Sequence, residues 1–347
     1  MINNKIRIGG GQKYYDEITL LKGWCMLLAV VGHSLPDVTK GFNIIGEASF
    51  SEFLYHWIYS FHMATFFACA GFLMLPKLSA QINVKEQLHK RFMRLMVPYF
   101  FYSFLYLAMK TIFGAIADHP LSDNALLGLF LGDSPCFGAW FLWTLFVISV
   151  IVILMRKLPL SLILVVALCM CIANVFVPDG ELFIGVKRVL GNMVWFVSGG
   201  VFGVYYQYIT KWSKPMGLAI IGISLLTILQ FVHFEKCSTM TVLLPYIKGL
   251  AGMIGSWGLM MFVKPYTESS IRKLMKLIGD NCMDIYMLSM YVLVPMRIIY
   301  VNLGLMNYVN YYVWVVIAAI TGIVIPILLS KHIVSRNKYA KMLLIGG

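Results

Sequence analysis

Acidic residues are scarce in this chain: 15 Asp and Glu stand against 28 Lys and Arg among 347 residues, and charged side chains of both signs make up only 12%. Soluble domains carry about 25% charged residues, so half that density excludes an ordinary soluble fold. Polar low-complexity tracts and Pro- or Gly-rich linkers are also missing, and nothing marks a boundary between domains. The seven cysteines, at positions 25, 69, 136, 169, 171, 237 and 282, include no CxxC pair. That leaves no zinc or dithiol signature and no metal site, and most of the thiols lie in apolar runs where a small buried hydrophobe fits. Cys136 and Cys237, both near the expected outer face, leave one disulfide open. No inverted repeat of the kind found in many transporters is visible. The excess of cations has no soluble basic face to sit on, which excludes nucleic acid as a partner.

What the chain does have is apolar sequence, at 60% of its residues. A window of about 20 residues, the length needed to cross a bilayer, finds runs near 18–38, 53–75, 95–117, 137–155, 159–178, 189–209, 215–234, 241–263, 283–303 and 309–331. The reading is an all-α polytopic bundle of about ten transmembrane helices, with the lipid bilayer as its solvent. A segment 1–17 precedes the bundle at 18–331, and a tail 332–347 follows it. Cytoplasmic loops collect Lys and Arg. Lys77, Lys85, Lys90, Arg91 and Arg94, then Lys264, Arg272, Lys273 and Lys276, fall on one side with both termini, while Asp37, Glu47, Asp118, Asp123, Asp133, Asp179, Glu181 and Glu235 fall on the other. Both termini are therefore expected in the cytoplasm, and the chain in the inner (plasma) membrane. The first apolar run follows the basic residues Lys5, Arg7 and Lys13 but has no small-residue cleavage site, and Lys22 interrupts its start; it reads as a retained helix.

Ionisable side chains at lipid depth are costly, and they normally face a protein interior or a wet cavity. Lys22 and His33 form such a pair in the first run, and His62 is a second histidine in the next one, ahead of the small residues Ala68-Cys69-Ala70-Gly71. Snorkelling of the lysine and one interhelical hydrogen bond to each histidine is the structural alternative. Lys90, Arg91 and Arg94 sit at the inner mouth of the third run, where Lys90 and Arg94 share a helical face and an anchoring role is the simpler one. Trp140-Phe141-Leu142-Trp143 opens the fourth run as an interfacial anchor. Gly249, Gly252, Gly255 and Gly258 recur every third residue in the eighth, either to admit a neighbouring helix or to line a channel for a slender ligand. Lys248 and Arg297 lie in outer halves of runs, where cation sorting does not explain them; they meet an anionic ligand or snorkel outward.

Taken in order, Lys22-Gly23, Gly32-His33-Ser34, Phe61-His62-Met63, Phe67, Gly71-Phe72-Leu73, Lys90-Arg91, Arg94, Pro98-Tyr99, Trp140-Phe141-Leu142 and Gly279 through Ile285-Tyr286 resemble the acyltransferase-3 family of integral membrane O-acyltransferases, the group that includes bacterial polysaccharide and sugar O-acetylases. The resemblance runs the length of the chain. Many members have Arg at the position of Lys22, Asp at that of Thr19 and His at that of Ser289. A lysine lacks the planar fork that grips phosphate at two points, and Ser289 stays outside the expected catalytic set.

The resemblance implies transfer of an acetyl or similar short acyl group, succinyl included, from cytoplasmic acetyl-CoA to a hydroxyl of a carbohydrate or lipid-linked glycan of the cell envelope. A sugar hydroxyl is a poor nucleophile near neutral pH, so a histidine that takes its proton is the expected device. His33 is the expected base, with His62 as an orienting partner or second proton carrier. Lys22, Arg91 and Arg94 are expected at the CoA phosphates, and Lys248 and Arg297 at the acceptor. Lys22 lies roughly 16 Å from His33 along an ideal helix, which separates donor binding from chemistry. Export of an envelope glycan is the alternative from another class, since it too needs buried cations and a cavity.

Overall fold

The computed structural model describes residues 15–36, 49–78, 82–112, 124–136, 138–180, 183–234 and 239–346. Lys5, Arg7, Lys13, Asp37, Glu47, Asp118, Asp123, Glu181, Glu235 and Cys237 lie outside them, as do the ends of the first and third expected spans. Cys136 is a free, buried thiol. No strand occurs among the described residues. The helices are α1 Asp16–His33, α2 Phe50–Tyr59, α3 His62–Met74, α4 Val84–Arg91, α5 Val97–Ile112, α6 Ala125–Leu131, α7 Trp140–Leu154, α8 Leu160–Ala173, α9 Ile184–Val204, α10 Tyr206–Trp212, α11 Pro215–Leu229, α12 Thr239–Val263, α13 Ser270–Asp280, α14 Cys282–Val301, α15 Tyr311–His332 and α16 Lys338–Ile345. A π-helical turn, Phe92–Met96, joins α4 to α5.

An apolar helix, or a pair of them, lies at each of the ten expected positions. Five helical stretches are long and apolar enough to cross a membrane: Phe50–Lys77, Val84–Ile112, Met240–Val263, Cys282–Val301 and Tyr311–Arg336. The pair α9 and α10 makes a sixth if its 78° bend is one span. Trp140–Leu154, Leu160–Phe176 and Pro215–Leu229 are apolar but shorter; fifteen helical residues reach only about 22 Å at about 1.5 Å each, less than the roughly 30 Å of hydrocarbon. α1 carries Asp16, Glu17 and Lys22 within its 18 residues, which lowers its apolarity. Large side chains such as Leu162, Ile172, Ile221, Ile228, Val316 and Ile320 stay exposed along these helices. In water that would be an unusually large apolar surface, and it is the surface a bilayer covers.

The two largest buried clusters make most of the core. One runs through α3, α5, α7 and α9 with Phe67, Tyr99, Leu142, Ile148, Met193 and Phe196; the other runs through α1, α12, α13 and α14 with Leu20, Cys25, Trp257, Ile278 and Ile285. Helices come together at glycine. A Cβ on Gly23 would stand 1.9 Å from the Met275 carbonyl oxygen, and one on Gly279 2.0 Å from that of Thr19, so α1 and α13 touch backbone to backbone. Gly71 and Gly199 do the same for α3 and α9, against Phe196 and Ala68.

The glycine row of α12 is also filled by neighbours. Gly255 and Gly258 abut the backbone of α11, Gly252 receives the ring of Phe61, and Gly249 faces Trp195. The row admits helices and a ring, and leaves no channel for a slender ligand along it. The tail holds a helix, α16, which packs against α5, and at its end Gly346 approaches the backbone of Arg94.

Candidate functional site

The second expected span is one apolar stretch broken at Ser60 and Phe61, where Phe61 leaves helical geometry (φ −142°, ψ −24°). Side chains bond carbonyls at the break, that of Ile58 alongside the Phe61 N–H at 3.3 Å. Ser60 Oγ donates to Trp57 O at 2.7 Å, and His62 Nδ1 lies 2.9 Å from Ile58 O. A carbonyl only accepts, so Nδ1 carries the proton and a neutral His62 keeps its lone pair on Nε2. The ring is buried, at 2% exposure.

The break also presents the end of α2 to the end of α1. Tyr59 Oη lies 2.9 Å from His33 Nδ1 and 3.3 Å from Nε2. Hydroxyl and imidazole share a hydrogen bond whose direction follows the His33 tautomer. The Tyr59 ring is held on three sides: it stacks on Tyr55 at 4.1 Å between centroids, meets His62 edge-on at 4.8 Å, and lies over Gly32, where a Cβ would stand 2.8 Å from its Cε2. Arg297, on α14, is within electrostatic reach of both His33 and Tyr59. The structure thus brings His33, His62 and Arg297 to one place, around a tyrosine that no spacing argument singles out. The signal available in the sequence was Tyr55 and Tyr59, one helical turn apart just ahead of His62.

Beyond Tyr59, on the side away from Lys22, is a cavity of about 980 Å³ lined by Glu52, Phe53, His56, Tyr59, Ser60, Gln230, Phe231, His233 and Lys248 among others. Lys248 Nζ lies 3.4 Å from Gln230 Oε1, so this cation faces the cavity rather than Arg297. The carboxylate here is Glu52, 3.9 Å from His56. Of the outer acids expected to help, Asp133 instead pairs with Arg188 at 3.5 Å and Asp179 with Lys187.

Lys22 is half-buried on α1, within electrostatic reach of Cys69 on α3 and Cys282 on α14. Arg91 immediately precedes the π-turn, Arg94 lies within it, and the two influence each other; such turns recur at functional sites. Lys90 points elsewhere, pairing with Glu86 on the exposed face of α4. Ser289 is buried within α14. No cluster of three metal-ligating side chains occurs among the described residues.

Near Lys22, the first turn of α1 is tied down. Glu17 binds Lys264 at 2.8 Å and accepts the Tyr206 hydroxyl, and Asp16 binds Arg272 at 2.7 Å. Burial pushes the Glu17 carboxyl up, but the hydrogen bonds from Lys264 and Tyr206 outweigh it and hold it below the usual carboxylate range.

An all-helical chain sheathed in exposed apolar side chains, with titratable groups gathered inside it, defines a membrane protein with an internal polar site. The family model described as an acyltransferase domain matches residues 15–331. The chain belongs to that acyltransferase-3 family, and is a membrane acyltransferase in general terms. No curated protein and no solved structure matches it.

Proposed function

We propose that this protein moves an acetyl or similar short acyl group from cytoplasmic acyl-CoA to a hydroxyl of a cell-envelope carbohydrate or glycan precursor. The observation that carries this reading is the meeting of half-buried His33 and Tyr59 with buried His62 at the far end of α1 from Lys22, beside a cavity of mixed lining. In the proposed arrangement ten spans cross the inner membrane with both termini in the cytoplasm. Lys22, Arg91 and Arg94 hold the CoA phosphates at the inner mouth, supplying cations to a polyanion. The two arginines fit this by their place at the π-turn, and Lys22 by being half-buried beside the uncharged thiols of Cys69 and Cys282. The thioester then reaches toward His33 along a path of roughly 16 Å, the rise of α1 between the two residues.

At the outer end His33 accepts the proton of the attacking hydroxyl as the new C–O bond forms, and returns it to the departing thiolate. His62, with Nδ1 committed to Ile58, supports the cluster through Nε2 and its edge contact with Tyr59. Lys248 and Arg297 serve the acceptor side, one in the cavity and one beside the base.

The test is turnover of labelled acetyl-CoA by purified, detergent-solubilised protein, with His33→Ala beside the wild type. Loss of turnover in a folded variant is the expected result. No donor binding or turnover by folded wild type, with either acetyl- or succinyl-CoA, would overturn the proposal and favour glycan export.

A further inference from the structure

Whichever ring nitrogen of His33 is unprotonated, it has the same phenol hydroxyl within hydrogen-bond reach, at 2.9 Å from Nδ1 and 3.3 Å from Nε2. The phenol ring is fixed by Tyr55, His62 and the bare backbone of Gly32. An incoming hydroxyl must either expel this tyrosine from a three-sided seat or act through it. The second route needs no rearrangement, because Tyr59 also lines the cavity, and a phenol oxygen accepts one hydrogen bond while donating another.

We infer that Tyr59 is a further catalytic residue, the group through which a hydroxyl held in the outer cavity delivers its proton to His33. This rests on the reading of His33 as the base. The step balances without another reactant. The acceptor O–H proton passes to Tyr59 Oη while the proton already on Oη passes to the unprotonated ring nitrogen of His33. The acceptor oxygen's electron pair forms the bond to the acyl carbon, and the C–S bond breaks with its pair going to sulfur. The proton on His33 then passes to the thiolate, which leaves as the thiol.

The cavity's lining fixes the class of acceptor. Among the described residues it presents one carboxylate, Glu52, and one ammonium, Lys248, which balance each other. Phe53 and Phe231 lie nearly parallel, 20° apart with centroids at 5.7 Å, and form an apolar wall beside the polar groups of Gln230 and His56. Such a wall with a polar rim suits an uncharged, hydroxyl-rich ring that has one apolar face. At about 980 Å³ the space lies near the top of the range of ligand cavities, about 300–1,000 Å³, and holds more than one such ring.

Tyr59→Phe keeps the ring and removes only the hydroxyl, and two readouts on the purified full chain decide its role. The first is acylation of His33 by diethyl pyrocarbonate, followed by mass spectrometry with the exposed His332 as internal reference. The variant should label several-fold faster at His33, and an unchanged rate would overturn the contact. The second is acetyl-CoA turnover with maltotriose as the neutral acceptor probe. The variant should lose about tenfold or more in kcat, the lower end of what general acid–base groups contribute being higher still, with the KM for acetyl-CoA unchanged. Wild-type kcat in Tyr59→Phe, with His33→Ala inactive, would remove Tyr59 and leave the base in place. A loss confined to KM would make it a binding residue and overturn the relay. No turnover by the wild type, with labelling still faster in the variant, would remove the reaction itself and leave a structural contact.

Discussion

At the scale of single residues, the chemistry turns on which ring nitrogens hold protons. His62 donates from Nδ1 to Ile58, so its substitution removes a backbone partner as well as an imidazole. The Ile58 carbonyl keeps the Phe61 N–H at 3.3 Å, so the loss is one hydrogen bond, about 0.5–1.5 kcal/mol, together with the space the buried ring filled. His62→Ala is therefore expected to lower the melting temperature in detergent measurably, whereas His33→Ala, whose partner is a side-chain hydroxyl beside a cavity, should lower it less while abolishing turnover by about 100-fold or more. Circular-dichroism melts on both variants, run with the labelled-donor assay, check the contrast. Both histidines were legible in the sequence because ionisable groups stand out against apolar neighbours. Tyr59 was not, because a tyrosine in such a run is ordinary, and its role depends on Gly32, 27 positions earlier in the chain, leaving room for its ring. Lys90 was read onto the face of Arg94 by α-helical spacing; the π-turn after Arg91 changes that register, and Lys90 pairs with Glu86 instead.

At the scale of elements, the crossings of α1 on α13 and α3 on α9 depend on missing side chains. In Gly71→Ala the new Cβ would stand 1.8 Å from the Phe196 carbonyl oxygen. Backbone cannot yield as a side-chain tip does, and overpacking costs about 1–3 kcal/mol or more. The melting temperature should fall clearly, while Gly180→Ala, which meets only the Phe183 side chain at 3.9 Å, should leave it unchanged. On α1, Lys22→Met keeps the length of the side chain and removes its charge. The KM for acetyl-CoA is expected to rise about tenfold with kcat little changed, the pattern of lost uniform binding. The positions of the helices were legible from apolar run length. Breaks within them were less so: the kink at Ser60 and Phe61 and the 78° bend between α9 and α10 occur without proline, where packing against other helices decides. The glycines of α12 permitted two readings in sequence because spacing alone does not say what approaches them; Phe61, Trp195 and α11 do.

At the scale of the whole molecule, the neighbouring ends of α1, α10, α12 and α13 are joined by Glu17, Tyr206, Lys264, Asp16 and Arg272. Because the folded Glu17 carboxyl is held below its ordinary value of 4.5, its stabilising contribution is present above that pH. It is lost as the pH falls through the lower, folded value. Thermal melts below pH 4.5 should therefore show a decline that Glu17→Gln flattens, the variant being less stable than wild type at neutral pH. Equal pH profiles for the two proteins would count against this account.

The backbone-to-backbone seams at Gly23, Gly71, Gly199, Gly255 and Gly279 bear on how anything passes through the protein. Helices cushioned by side chains can slide or ratchet past one another, but a seam of this kind admits no slip of even one residue without driving a Cβ into a carbonyl. The pairs α1 with α13, α3 with α9 and α11 with α12 are thereby fixed in register. In the proposed reaction, distance across the membrane is covered by the reach of a slender donor arm, while these paired helices keep their register.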